Sequence, residues 1–147
     1  MRSGESNCWK REGPVHHHKI VLALLVGTAA SGAHAGGCWR IAELKGQSAR
    51  ALDGFAISGD GYSNKEFRVA VDGKTGAVSP SNMSCMAAGA TSVLCVDRTA
   101  EGKLTIETWA IDEQRGKVIH TKAISGYGPH DGGNLFIGKV VGPCSGG

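Results

Sequence analysis

The placement of the cysteines is the strongest constraint on the fold of this 147-residue chain. Four of its five cysteines follow residue 35: Cys38, Cys85, Cys95 and Cys144. Zinc sites normally use closely paired cysteines such as C-x₂-C, and these four have no such spacing. An even number of cysteines in a small exported domain is typical of disulfides, here two with three possible pairings. We favour Cys38–Cys144, at the two ends of the domain, and Cys85–Cys95, which closes a short loop.

Export is indicated by residues 20–32, which are uncharged and too few to span a membrane. Lys19 precedes this stretch, and Ala33-His34-Ala35 places small residues at the two positions that signal peptidase recognises. We therefore expect residues 1–35 to be a cleaved signal peptide helix. Its N-terminal extension, residues 1–15, is atypical because it contains two glutamates. The alternatives are a translation start downstream of Met1 and a buried core helix at 20–32.

Cleavage after Ala35 leaves residues 36–147, enough for a single domain. This part carries twelve Lys and Arg against eleven Asp and Glu, a net charge of +1. Nucleic-acid-binding domains carry clustered basic residues, and segments that bind anionic lipid are polybasic. We therefore expect no nucleic-acid partner. We also expect no cofactor and no membrane span in the mature form. A lipid anchor on Cys38 is a weaker alternative, because the residue three positions before a lipidated cysteine is usually a larger aliphatic one than Ala35.

The sequence of the mature part predicts short strands joined by turns that contain glycine. In the clearest of them, Phe67, Val69 and Val71 share one face, and Asp72-Gly73 then favours a hairpin turn. We predict an all-β fold, a small antiparallel barrel or sandwich of about six to seven strands stapled by two disulfides. The predicted strands are 39–44, 65–72, 77–79, 91–98, 103–112, 117–125 and 134–142.

Two segments do not follow this alternation. Residues 47–60 are interpreted as a loop or a single helical turn. In 103–112, Leu104 and Ile106 are even-numbered, whereas Trp109 and Ile111 are odd-numbered. Strict alternation would therefore place the two pairs on opposite faces of the strand. A β-bulge near Glu107-Thr108 would place all four side chains on one face, because one extra residue shifts the register.

The loop 125–134, Ser-Gly-Tyr-Gly-Pro-His-Asp-Gly-Gly-Asn, is the most distinctive candidate site. Its glycines permit close approach of a ligand to the backbone, Tyr127 offers a stacking face and His130 a titrating group. We predict a ligand-binding site formed by Tyr127, His130, Asp131 and Asn134. The alternative is a plain connection between strands in which glycine and proline only set the turn geometry.

For the other candidate residues, structural roles are favoured over functional ones. The loop 58–64 could hold calcium, but Asp60 is its only carboxylate, so turn geometry is favoured and no metal is expected. No serine has a nucleophile-elbow pattern, and no catalytic residue is assigned. His120 is interpreted as a solvated strand residue, and Trp39 and Trp109 as packing residues.

These observations predict a secreted or periplasmic module of the binding or inhibitor type, without catalytic activity. Its partner is an unspecified protein or small ligand. The first alternative is a small secreted hydrolase that uses His130 and Asp131 as acid–base groups. The second is a purely structural envelope protein with no discrete site.

Overall fold

The computed structural model describes residues 36–144, so the expected signal peptide helix at residues 1–35 lies outside the described residues. Nine β-strands and two short 3₁₀ helices, Ala51–Asp53 and Gly128–His130, make up the described part. The strands are β1 Gly37–Arg50, β2 Ser58–Tyr62, β3 Phe67–Asp72, β4 Thr75–Ser79, β5 Ser84–Gly89, β6 Ser92–Arg98, β7 Leu104–Asp112, β8 Lys117–Ser125 and β9 Gly132–Pro143. Between residues 36 and 144 no helix is long and apolar enough to cross a membrane.

The strands form a closed antiparallel barrel of eight strands with one additional strand. From β3 to β9 each strand pairs with the next, and β9 pairs back with β1 to close the barrel. The other edge of β1 is divided: residues 37–41 pair with β3, and residues 44–48 pair with β2. The all-β, antiparallel prediction is confirmed, and of the two predicted architectures the barrel is the one observed.

The strand number is higher than the predicted six to seven because β2 and β5 were not predicted. In addition, β1 continues to Arg50, well past the predicted end at Leu44. Its pairing with β9 shifts register twice, and Glu43 has a positive φ of 55°. These bulges place both Ile41 and Leu44 in the core, three residues apart, so the strand loses the strict alternation by which a sequence reveals β structure.

The barrel interior is filled by side chains rather than open. The buried apolar residues are Trp39, Ile41, Leu44, Phe67, Val69, Val71, Val78, Val93, Cys95, Trp109, Ile111, Val118 and Phe136. Packing is tight at Gly138, where a Cβ atom would lie 2.8 Å from Val118 Cγ1 and 2.9 Å from Leu44 Cδ2. The core packing role predicted for the two tryptophans is confirmed.

Both predicted disulfides are present. Cys38–Cys144 joins the beginning of β1 to the residue after β9, and Cys85–Cys95 links directly opposed residues of β5 and β6. Two disulfides fit an oxidising compartment. The bond at Cys38 also uses the thiol that a lipid anchor would need.

The predicted bulge in β7 is wrong. This strand pairs with β6 and β8 without a register shift. Thr105, Glu107, Trp109 and Ile111 all face the interior and are buried, whereas Leu104 lies on the outer face. Polar residues therefore face inward at one end of the barrel. We call this end, where β1 ends at Arg50, the upper mouth.

Candidate binding site

A row of polar side chains crosses the inner wall of the barrel below the upper mouth. Glu107 of β7 is paired with Lys122 of β8, which is paired in turn with Asn134 of β9. Asn134 is paired with Ser48 of β1. Because directly paired residues project to the same face of a sheet, neighbouring strands bring these four side chains together inside the barrel.

Glu107 and Lys122 form an ion pair within this row. Lys122 Nζ lies 2.8 Å from Glu107 Oε1, and the side chains are only 24% and 11% exposed, respectively. Burial raises the pKa of Glu107, but the neighbouring His120 and Lys122 outweigh this effect and lower the pKa to about 2. The carboxylate is therefore ionised across the physiological pH range.

His120 lies one row deeper, between Trp109 of β7 and Phe136 of β9. Its ring centroid is 4.1 Å from that of Trp109, and the residue is 1% exposed, so its interpretation as a solvated strand residue is wrong. Its Nε2 atom is 3.8 Å from Glu107 Oε2, which is too long for a hydrogen bond. Among the described residues neither ring nitrogen has a hydrogen-bond partner, nor do the buried Trp109 Nε1 and Asn134 Oδ1.

An open cleft of about 270 Å³ leads from the upper mouth to this pair. Glu107 and Lys122 line its inner end, and Tyr62 and Phe67 contribute aromatic side chains. Lys65 lies over both rings, with Nζ 5.4 Å from the centroid of Tyr62 and 4.9 Å from that of Phe67. This cleft has no signature in the sequence, because its residues come from widely separated parts of the chain.

The residues predicted from the 125–134 loop take separate roles. Asp131 Oδ1 accepts a 2.6 Å hydrogen bond from the Tyr127 backbone N–H, so this carboxylate holds the loop together. The ring of Tyr127 instead faces Lys103, whose Nζ is 5.5 Å from the ring centroid. His130 and Asn134 line one space of only about 20 Å³, enough for about one water molecule. The structure therefore brings His130 and Asn134 together, but Tyr127 does not line this space.

A second exposed segment adjoins this loop. The Ala51 backbone N–H donates to the Asp131 carbonyl oxygen at 2.8 Å, which joins residues 51–57 to the loop. We call residues 51–57 the apolar loop, because Leu52, Phe55 and Ile57 are 71%, 58% and 72% exposed. Phe55 also has a positive φ of 60°, a conformation that is unfavourable for a bulky side chain.

The segment 58–64, for which the sequence favoured turn geometry over a calcium site, is largely a strand instead. Residues 58–62 form β2, and the Asp60 carboxylate accepts hydrogen bonds from the Gly61 N–H and from Arg50. No group of three or more His, Cys, Asp or Glu side chains that could hold a metal ion occurs in the described part of the chain.

The described part of the chain is a small antiparallel β-barrel held by two disulfides, with an exposed apolar loop and, separately, a polar cleft. Comparison of the chain with protein-family models, curated proteins and solved structures finds no match.

Proposed function

We propose that this protein is a secreted or periplasmic binding module of the inhibitor type, without catalytic activity. Its binding surface is the apolar loop together with the adjoining 126–133 loop. The partner is a protein from the same oxidising compartment that presents an apolar recess to Leu52, Phe55 and Ile57.

The exposure of these three side chains is the observation that supports the proposal. Contiguous exposed apolar surface on a small domain commonly marks an interaction site. Large side chains on a projecting loop can also enter a partner's recess and become binding hot spots. The hydrogen bond between Ala51 and Asp131 holds the two loops side by side, which limits the entropy lost on binding.

The hydrolase alternative has less support. The Asp131 carboxylate accepts a hydrogen bond from the Tyr127 N–H, and it forms no ion pair with His130 among the described residues. The buried His120 is 1% exposed and therefore inaccessible to a substrate. A purely structural protein would not require the exposed apolar side chains of residues 51–57.

A photo-crosslinking experiment tests the proposed surface. A photoreactive phenylalanine analogue at position 55 should crosslink one protein from the extracellular or periplasmic fraction of the source organism. The same analogue at Met86, which is 54% exposed on the opposite wall of the barrel, is the matched control and should not.

The crosslinked protein is then purified and titrated against single variants. Phe55→Ser and Ile57→Ser should each weaken binding about tenfold or more, and Met86→Ser should not. Equal crosslinking from both positions, or binding unchanged in the Phe55 and Ile57 variants, would refute the proposal.

A further inference from the structure

The cleft at the upper mouth carries charges of both signs. Lys65 and Lys122 supply cations, and Asp97 and Glu107 supply anions. Among residues 36–144 the Lys65 ammonium and the Asp97 carboxylate have no ion-pair partner, whereas Lys122 and Glu107 pair with each other. The cleft is therefore electrically balanced overall, but two opposite charges in it are available to a ligand.

The inner end of the cleft is polar, because the Glu107–Lys122 ion pair lies there. These two charges compensate each other. The charges that remain for recognising a ligand are therefore those of Lys65 and Asp97.

The remaining lining is mixed: Val78, Pro80, Met83 and Phe67 contribute apolar side chains, and Tyr62, Ser81 and Thr105 contribute hydroxyl groups. A volume of about 270 Å³ is slightly below the range of drug-sized ligand pockets, which is roughly 300–1,000 Å³. The cleft therefore suits a molecule of few heavy atoms that has an apolar side group and two opposite charges.

We infer that the upper-mouth cleft binds a small zwitterion with an apolar side group, such as an apolar amino acid or a short peptide. Asp97 receives its ammonium group, Lys65 receives its carboxylate, and the side group lies against Phe67 and Val78. This site is separate from the apolar loop, so the inference does not rest on the proposed protein partner.

Isothermal titration calorimetry on the oxidised protein tests the ligand class. The zwitterionic probes are L-leucine, L-phenylalanine and leucyl-glycine, and they are compared with two leucine analogues that retain one charge each and with a neutral control. Leucinamide retains the cation, N-acetyl-leucine retains the anion, and glucose represents a neutral polar ligand. At least one zwitterion should bind roughly 10- to 100-fold more tightly than its single-charge analogues, because each charged hydrogen bond contributes to affinity.

Two variants assign the charges. Lys65→Gln should weaken zwitterion binding about tenfold and leave leucinamide binding unchanged. Asp97→Asn should weaken zwitterion binding similarly and leave N-acetyl-leucine binding unchanged. Lys74→Gln and Asp72→Asn, exposed at the opposite end of the barrel, are the matched controls and should bind as the wild type does.

Unchanged circular dichroism spectra and midpoints of unfolding would show that the variants are folded. The inference is overturned if no zwitterion in the panel binds, if glucose or a single-charge analogue binds as tightly, or if the control variants lose as much affinity. Crosslinking through Phe55 is unaffected by any of these results, so the two proposals can fail independently.

Discussion

Lys122 Nζ lies 2.8 Å from Glu107 Oε1, and strands β7 and β8 hold the two residues directly opposite each other inside the barrel. A charged pair in a largely apolar interior is costly to desolvate, and each ion depends on the other for compensation. The Glu107–Lys122 pair therefore makes the cleft polar, and it also makes the stability of the folded protein depend on the charges of these two residues.

Replacing Lys122 with methionine should destabilise the protein by about 2–3 kcal/mol, because the Glu107 carboxylate is left buried without its cation. Urea unfolding with the disulfides intact measures the change. Lys139→Met is the matched control: Lys139 pairs with Glu43 on the surface, both about half exposed, and its loss should cost less than about 1 kcal/mol. Equal losses in the two variants would contradict this account of the buried pair.

Stability should depend on the ionisation of Glu107 in acid. Its pKa is lowered to about 2 in the folded protein from 4.5, so the stabilisation is complete above about pH 5. It is lost as the pH falls from about 4.5 towards 2, by at most about 3 kcal/mol.

Other carboxyl groups titrate in the same range, so the measured quantity is the difference in unfolding free energy between wild type and Glu107→Gln. This difference should shrink between pH 5 and pH 2. A difference that stays constant over this range would show that Glu107 does not contribute to the acid sensitivity.

The exposed Phe55 is held in a left-handed conformation that costs a bulky L-residue roughly 1–2 kcal/mol. Asparagine tolerates this conformation, so Phe55→Asn should stabilise the protein by about 1 kcal/mol while it weakens partner binding. Met86→Asn, at an exposed position in β5, should not stabilise the protein. A destabilising Phe55→Asn would show that the ring contributes to packing rather than to a binding surface.

Gly46 allows a close backbone approach between β1 and β9. A Cβ atom at Gly46 would meet the Leu135 carbonyl oxygen at 2.0 Å, so Gly46→Ala should cost at least about 2 kcal/mol. A Cβ atom built at Gly59, in the neighbouring β2, would have no atom within 4 Å. Gly59→Ala should therefore change the free energy of unfolding by less than about 0.5 kcal/mol. Thermal unfolding of both variants, with the two disulfides confirmed by peptide mapping, compares the costs.

The sequence predicted those parts of the fold in which apolar residues face the core in strict alternation. Phe67, Val69 and Val71 are an example, and their strand and the following turn at Gly73 are confirmed. The disulfide pairing was also predictable, because it follows from the number and spacing of the cysteines and from the proximity of the domain's ends.

The upper mouth could not be predicted because the usual pattern, with apolar side chains inward and polar side chains outward, is reversed there. In β7, Thr105 and Glu107 face inward while Leu104 faces outward, and this reversal led to the incorrect bulge. His120 faces inward for the same reason. Such positions can be recognised only once the partner strand is known, since Lys122, directly opposite on β8, is what makes an inward Glu107 tolerable.

The apolar loop gave no periodic signal either, since Leu52, Phe55 and Ile57 belong to neither a strand nor an amphipathic helix. Of the predicted loop residues, only His130 and Asn134 line a common space. Asp131 accepts a hydrogen bond from the Tyr127 backbone only because the three-residue turn at 128–130 brings these two positions together.

The disulfide between Cys38 and Cys144 also determines how the barrel responds to mechanical load. A pulling force applied to the chain before Cys38 and after Cys144 passes through a covalent bond between these residues and bypasses the nine strands. The hydrogen bonds between β1 and β9 therefore bear no tension while the disulfide is intact. Reduction transfers the force to this strand pair, so the redox state of one bond decides whether stretching can open the barrel.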